Sequence, residues 1–193
     1  IGPSSAFEAA IAVAMDAASN VYALIAYSGS LDLGSAACPA LAVTPASYGL
    51  AVVKLAAADG ACLGQTLLVP SKATWVNLDS WKPGSIAVNA SGVVAVTGAV
   101  VTSGVDTDVL VARIDGTNVW QKVFASPTTN DAGQAVALNA AGDVFVTGYF
   151  RESLDITSPA LTEPGGHALF VARLAASNGA TLWGKRWGCT NPS

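Results

Sequence analysis

Histidine and methionine each occur once in the 193 residues, as His167 and Met15, and charged residues make up only 11% of the chain. The three cysteines, Cys38, Cys62 and Cys189, form no Cys-x-x-Cys pair and have no histidine partner cluster, so the ligands of a zinc centre are missing. No Gly-x-Ser-x-Gly elbow, phosphate loop or dinucleotide fingerprint occurs. The net charge of −4 leaves no basic stripe, which argues against a nucleic-acid partner. Mean hydropathy is +0.49, yet Asp16, Asn89, Thr97 and Gly98 interrupt the apolar stretches well short of the roughly 20 residues a spanning helix needs. Those stretches read as short strands. Two carboxylate pairs, Asp106 with Asp108 and Glu152 with Asp155, are candidate calcium ligands, but two carboxylates alone make a weak site and no EF-hand pattern occurs. The chain opens with Ile1 and shows no signal peptide, so a processed or excised start is expected.

What is plentiful is apolar residues, 52%, together with 19 glycines. That composition excludes disorder, and the length suffices for a buried core. Three segments align without gaps: Ala12-Val-Ala-Met-Asp-Ala-Ala-Ser-Asn-Val-Tyr22, Ile86-Ala-Val-Asn-Ala-Ser-Gly-Val-Val-Ala95 and Val136-Ala-Leu-Asn-Ala-Ala-Gly-Asp-Val-Phe145. Each runs as alternating residues into Asp16, Asn89 or Asn139, then two small residues, then Ser19, Gly92 or Gly142, then a second β-rich run. Asx side chains close local turns and glycine supplies positive φ, so each segment predicts a hairpin.

A second block recurs downstream as Leu50-Ala-Val-Val-Lys-Leu55, Val109-Leu-Val-Ala-Arg-Ile114 and Leu169-Phe-Val-Ala-Arg-Leu174. Turns follow at Ala58-Asp-Gly60, Asp115-Gly116 and Ser177-Asn-Gly179, and a final strand carries Trp120-Gln-Lys122, Trp183-Gly-Lys185 and, in the first copy, Leu63-Gly-Gln65. Each copy therefore predicts two hairpins. Lys54, Arg113 and Arg173 recur at intervals of 59 and 60 residues (113 − 54 and 173 − 113). A four-stranded unit at this period suits a propeller blade, longer than the usual period of about 40–50 because of loop insertions. Residues 30–47 and 153–166 carry these insertions and share Ser-Leu-Asp-(Leu/Ile), while a long linker, 69–83, precedes the second copy.

The run Gly133-Gln-Ala-Val-Ala-Leu-Asn-Ala-Ala-Gly-Asp-Val-Phe-Val-Thr-Gly148, with Leu169-Phe-Val-Ala-Arg-Leu174 and Leu182-Trp-Gly-Lys-Arg-Trp-Gly188, resembles the bacterial β-propeller repeats abbreviated SBBP. The first copy departs most, with Leu24-Ile25 in place of Thr-Gly and no tryptophan in its last strand. The resemblance implies secreted or cell-surface proteins of many repeats with no shared catalytic residues.

The expected architecture is all-β: one repeat domain, 1–193, of three four-stranded antiparallel propeller-type blades at about 2–66, 67–129 and 130–188. It forms part of a propeller or one completed by oligomerisation. The expected function is a non-catalytic extracellular scaffold or recognition module that binds protein or glycan through its inter-hairpin loops and needs no cofactor. Competing readings are a structural repeat of a larger surface protein or appendage, and a propeller enzyme or accessory module of quinoprotein or glycosidase type. The latter rests on the Gly-x-x-x-Trp turns Gly116-Thr-Asn-Val-Trp120 and Gly179-Ala-Thr-Leu-Trp183.

Trp75 and Trp81 occur once each, in the long linker, and with His167 in an insertion they are the candidate ligand-binding residues, because loops concentrate function. Trp120 and Trp183 read as packing between blades. Lys54, Arg113 and Arg173 read as paired strand-end cations, with Asp32, Asp106 or Asp155 as partners, or as an anion-binding ring. Cys38 and Cys62 either form a disulfide or stand as buried free thiols. Three blades do not close a ring, so the end blades are expected to pack on another copy of the chain or on further repeats of a longer parent.

Overall fold

The computed structural model describes residues 8–43, 48–68, 75–76, 84–103, 106–126 and 130–188. Every regular element in it is a β-strand, and the three repeats form three antiparallel sheets. The first sheet has the order β1 (Glu8–Met15), β2 (Val21–Ser28), β5 (Tyr48–Leu55), β6 (Cys62–Leu68), with a small hairpin of β3 (Ser30–Leu31) and β4 (Leu41–Ala42) inside the insertion. The third has β12 (Ala132–Leu138), β13 (Val144–Leu154), β14 (Leu161–Leu174) and β15 (Thr181–Gly188) in the same order.

In the second sheet, β9 (Val94–Ser103), β10 (Asp106–Asp115) and β11 (Asn118–Phe124) pair in sequence. The remaining edge of β9 is shared by β8 (Ser85–Val88) and the two-residue β7 (Trp75–Val76). The linker that reads as loop in the sequence thus contributes a strand: Trp75 pairs with Val101. Two residues are too few to carry a period of two, so alternation gave no sign of it.

The first-hairpin turns share the same i+4 side-chain bond. Asp16 Oδ1 accepts from the Ala18 and Asn20 amides, Asn89 Oδ1 from Ser91 and Val93, and Asn139 Oδ1 from Asp143. Ser19, Gly92 and Gly142 follow with φ of 63°, 77° and 82°. Asx residues provide the acceptor and the third position the left-handed backbone, which is why this tripeptide spacing recurs.

Alternation then divides each sheet into two faces. The forward face of the first sheet, Tyr22, Leu24, Ala26, Leu50 and Val52, packs on Val94, Val96, Val100, Leu110 and Ala112 at the rear of the second. The forward face of the second, Ala95, Val109, Val111 and Phe124, packs on Val144, Val146, Phe150, Phe170 and Ala172 at the rear of the third. Each fully buried Val, Leu or Phe contributes about 1.5–3 kcal/mol. At the rear of the first sheet, Tyr27 and Ala51 are covered by Leu31, Leu33, Leu41 and Val43 of the first insertion. Leu154, Ile156 and Leu161, at corresponding places in the third-repeat insertion, join the core between the second and third sheets.

One alignment is corrected by the ladders. Arg113 pairs with Trp120 and Arg173 with Trp183, but Lys54 pairs with Gly64, not Leu63. The first and third sheets share a register shift just after the cation, between Lys54 and Leu55 and between Arg173 and Leu174, which the second lacks, so Gly64 is the counterpart of Trp183 and Trp120. Leu63 is the exposed bulge residue, matching Leu182 in the third sheet.

Candidate functional site

The two hairpin turns of each sheet lie at one end, because the strands antiparallel to one another return there: Val21 pairs with Leu55 and Val144 with Leu174. The recurring cations converge on this end, on strands that place them beside the first turn of their own sheet. Lys54 Nζ lies 3.3 Å from Asp16 Oδ2 and over the Tyr22 ring at 5.1 Å. Arg173 donates through Nη2 and Nε to Asp143 Oδ2, at 2.5 and 3.1 Å, and lies over Phe145 at 5.6 Å. Arg113, 7% exposed, donates through Nη2 to Asp115 Oδ2 and through Nε to Gly142 O of the third sheet, both at 3.0 Å.

These partners replace Asp32, Asp106 and Asp155. The latter two start β10 or follow β13, at the insertion end of the strands, whereas the cations sit at the turn end. The Asn20 side chain and amide, together with Lys54, lower the Asp16 carboxyl to about 2, the Asn20 side chain contributing most. Arg173 first, then the Ala176 amide, lowers Asp143. The Tyr22 hydroxyl first, and Asp16 after it, raises the Lys54 ammonium, while burial raises the Tyr27 phenol. The positive charges are thus neutralised locally, which removes the free ring of cations an anion would need.

Between the turn ends of the second and third sheets lies a groove of about 650 Å³, lined by Arg113, Asp115, Thr117, Asn118, Val119, Trp120, Ala176 and Ser177. Its indole donates through Nε1 to Ala176 O at 2.9 Å. The ring sits on Gly179, where a Cβ would stand 2.8 Å from Trp120 Cε3 and Cζ3, so only glycine fits there. The groove mixes an aromatic edge, an amide and a carboxylate, of which the indole N–H is already bonded to Ala176 O and the Asp115 carboxylate to Arg113. Sequence reasoning missed it; the signal available was a tryptophan in one copy combined with a long Gly-containing turn in the next.

The residues singled out in the sequence do not assemble into one site. Trp75 lies on the edge of the second sheet, His167 is exposed on β14 opposite Arg151 in the third, and Trp81 lies outside the described residues. Cys38 and Cys62 are joined in a disulfide, with Cα atoms 6.2 Å apart across 24 residues of sequence. This bond and the Gln65 side chain, whose Nε2 donates to Pro39 O, tie the first insertion to edge strand β6. Cys189 lies outside the described residues. Among the described residues no group of three His, Cys, Asp or Glu side chains is placed to hold a metal ion, and no helix is long and apolar enough to cross a membrane.

No family model matches the chain, and no curated protein matches it.

Proposed function

We propose that the chain is a non-catalytic scaffold of stacked propeller-type blades, secreted or displayed at a cell surface, which presents its insertions and linkers to a protein or glycan. The observation that carries this reading is the use made of the recurring polar residues. Asp16, Asn89 and Asn139 close turns, and Lys54, Arg113 and Arg173 are bonded within or between sheets. What recurs therefore builds the stack, and what differs between copies, the insertions with Trp75, Trp81 and His167, is left for recognition. The resemblance of the third repeat to bacterial propeller repeats supports the extracellular location, and the disulfide fits an oxidising compartment. A structural repeat of a larger assembly is the second reading, favoured by the apolar forward face of the third sheet, where Leu169, Trp183 and Trp187 are exposed.

Two measurements test the proposal. Wild-type chain is screened on a glycan array beside Trp75→Ala and His167→Ala, with melting temperatures recorded for all three. Binding that both substitutions weaken at unchanged melting temperature supports recognition; binding indifferent to both moves the function to the structural reading. Pyrroloquinoline quinone and a panel of fluorogenic glycosides are expected to give no absorbance change and no hydrolysis. Turnover of any of them contradicts a non-catalytic scaffold.

A further inference from the structure

Tryptophans and turns are distributed unevenly over the three sheets, and the pattern points beyond the chain. Where the first sheet meets the second, the position held by Trp120 in the second is Gly64, and the second-sheet turn is the tight two-residue Gly116-Thr117. Neither the ring nor a seat for it is present. Where the second meets the third, both are: Trp120 rests on Gly179 and bonds to Ala176 O.

The third sheet carries the ring again. Trp183 pairs with Arg173 as Trp120 pairs with Arg113, but on a forward face with no described sheet beyond it, and it is 39% exposed against the edge of Phe145. The pair beside it repeats the contrast. Leu50 with Leu68 and Val109 with Phe124 are buried at the two internal junctions, whereas Leu169 with Trp187, in the same register, are 58% and 56% exposed.

The matching seat is in the first sheet. Its second turn reproduces that of the third bond for bond: Ala56 N to Ala61 O and Ala175 N to Ala180 O, both 2.8 Å; Gly60 N to Ala56 O at 3.0 Å and Gly179 N to Ala175 O at 2.9 Å. Asn20 Oδ1 accepts from Ala57 N as Asp143 Oδ1 accepts from Ala176 N. Gly60 has φ of 72° against 68° for Gly179. Yet Gly179 is buried under a tryptophan, while Gly60 is exposed with no atom of the described residues within 4 Å of a Cβ. The rear of the first sheet also exposes Val13 and Met15, whose counterparts Val136 and Leu138 pack into the core between the second and third sheets.

We infer that the forward face of the third sheet docks on the rear of the first sheet of a second copy of this chain. Trp183 rests on the partner's Gly60 and its indole N–H donates to the partner's Ala57 O. Ring and seat are both absent at the first internal junction and both present at the second; the third sheet carries the ring on its outer face and the first sheet carries the seat, which selects the first sheet of another copy over a sheet of unspecified kind. The contact is head-to-tail, so two copies that make it twice close a ring of six sheets, within the roughly 4–8 of known propellers. Arg173 keeps its bond to Asp143, because Ser19 has a side chain where Gly142 makes room for Arg113.

This rests on the stacked-blade reading but is tested apart from it, by sedimentation of the full chain from roughly 1 to 100 µM, the range in which interfaces of modest affinity assemble. A species of twice the 19.3 kDa chain mass is expected. Trp183→Ala should weaken association at least about 30-fold, as removal of a central aromatic anchor does, without unfolding, since Gly64 holds the equivalent place in the first sheet. Gly60→Asn, which tolerates positive φ, should weaken it as much from the opposite end. Mixing the two variants should restore one junction and a dimer. A chain that stays monomeric at the highest concentration, or a dimer indifferent to Gly60→Asn, overturns the junction while leaving the scaffold in place. Catalytic turnover by an associating chain would overturn the scaffold reading and leave the junction.

Discussion

The contact between the first and second sheets is described by apolar groups, Tyr22, Leu24, Leu50 and Val52 against Val94, Val96 and Leu110. The contact between the second and third adds three directional bonds to an apolar core: Arg113 to Gly142 O, Trp120 to Ala176 O, and Asn89 Nδ2 to Asn139 O at 3.3 Å. The difference separates two kinds of information in one repeat. Alternating small apolar residues specify that sheets stack. The second junction adds to this a longer turn and a single aromatic, Trp120 on Gly179, which the first junction lacks.

The largest effects are expected from the shared part. Phe170→Ala, which empties a fully buried site in the second junction, should cost about 3–5 kcal/mol in urea unfolding, and Leu24→Ala in the first about 2–5 kcal/mol. A Leu24 variant that loses nothing would break the view that the first junction is held by packing. Next comes the disulfide, found only in the first repeat. Its reduction should cost about 3 kcal/mol for a loop of this length. The oxidised chain should be lighter by about two hydrogens in intact mass, and unchanged stability on reduction would show that the insertion is held by Tyr27, Leu31 and Leu41 alone.

How far such contrasts could be read from the sequence depends on the range of the interaction. The first hairpins were legible because Asp16, Asn89 and Asn139 bond to amides within four residues, so the whole motif lies in one short window. All-β, four-stranded antiparallel sheets followed from that and from alternation, and the first and third repeats have them; the second adds the split edge of β7 and β8. The strand opposite Lys54 was read one residue out, because the first copy has no tryptophan there and only the strand pairing sets its register. The cation partners were sought at the wrong end of the strands, since only the fold shows that Arg173 and Asp143 are neighbours across a 30-residue separation. The groove at Trp120 needed both its own turn and that of another sheet, and no local window contains both.

Smaller effects sharpen the comparison of turns. Asn139→Ala should cost about 1 kcal/mol by removing the acceptor for the Asp143 amide, measured by denaturant unfolding, and Asn139→Asp less, since Asp16 does the same work in the first repeat. Asp16 and Asp143 are both depressed in the folded chain, so their contribution is present above the ordinary carboxylate pKa of about 3.9 and is lost as pH falls below it, for Asp16 toward about 2. The melting temperature should therefore fall between these values. Asp16→Asn keeps the acceptor, as Asn89 and Asn139 do, and should flatten that fall; an unaltered pH profile would assign the acid sensitivity to other carboxylates.

The comparison that reaches the central claim uses one residue type in one register position of two sheets. Trp120 lies against the next sheet and Trp183 against none described, so each is replaced by Ala and unfolding is followed in chain diluted below its association range. Trp120→Ala is expected to lose about 2–3 kcal/mol, part of what a buried aromatic contributes, and Trp183→Ala under about 1 kcal/mol, as an exposed substitution does. Equal losses, or a larger loss at Trp183, would contradict an account in which these tryptophans fasten one sheet to the next.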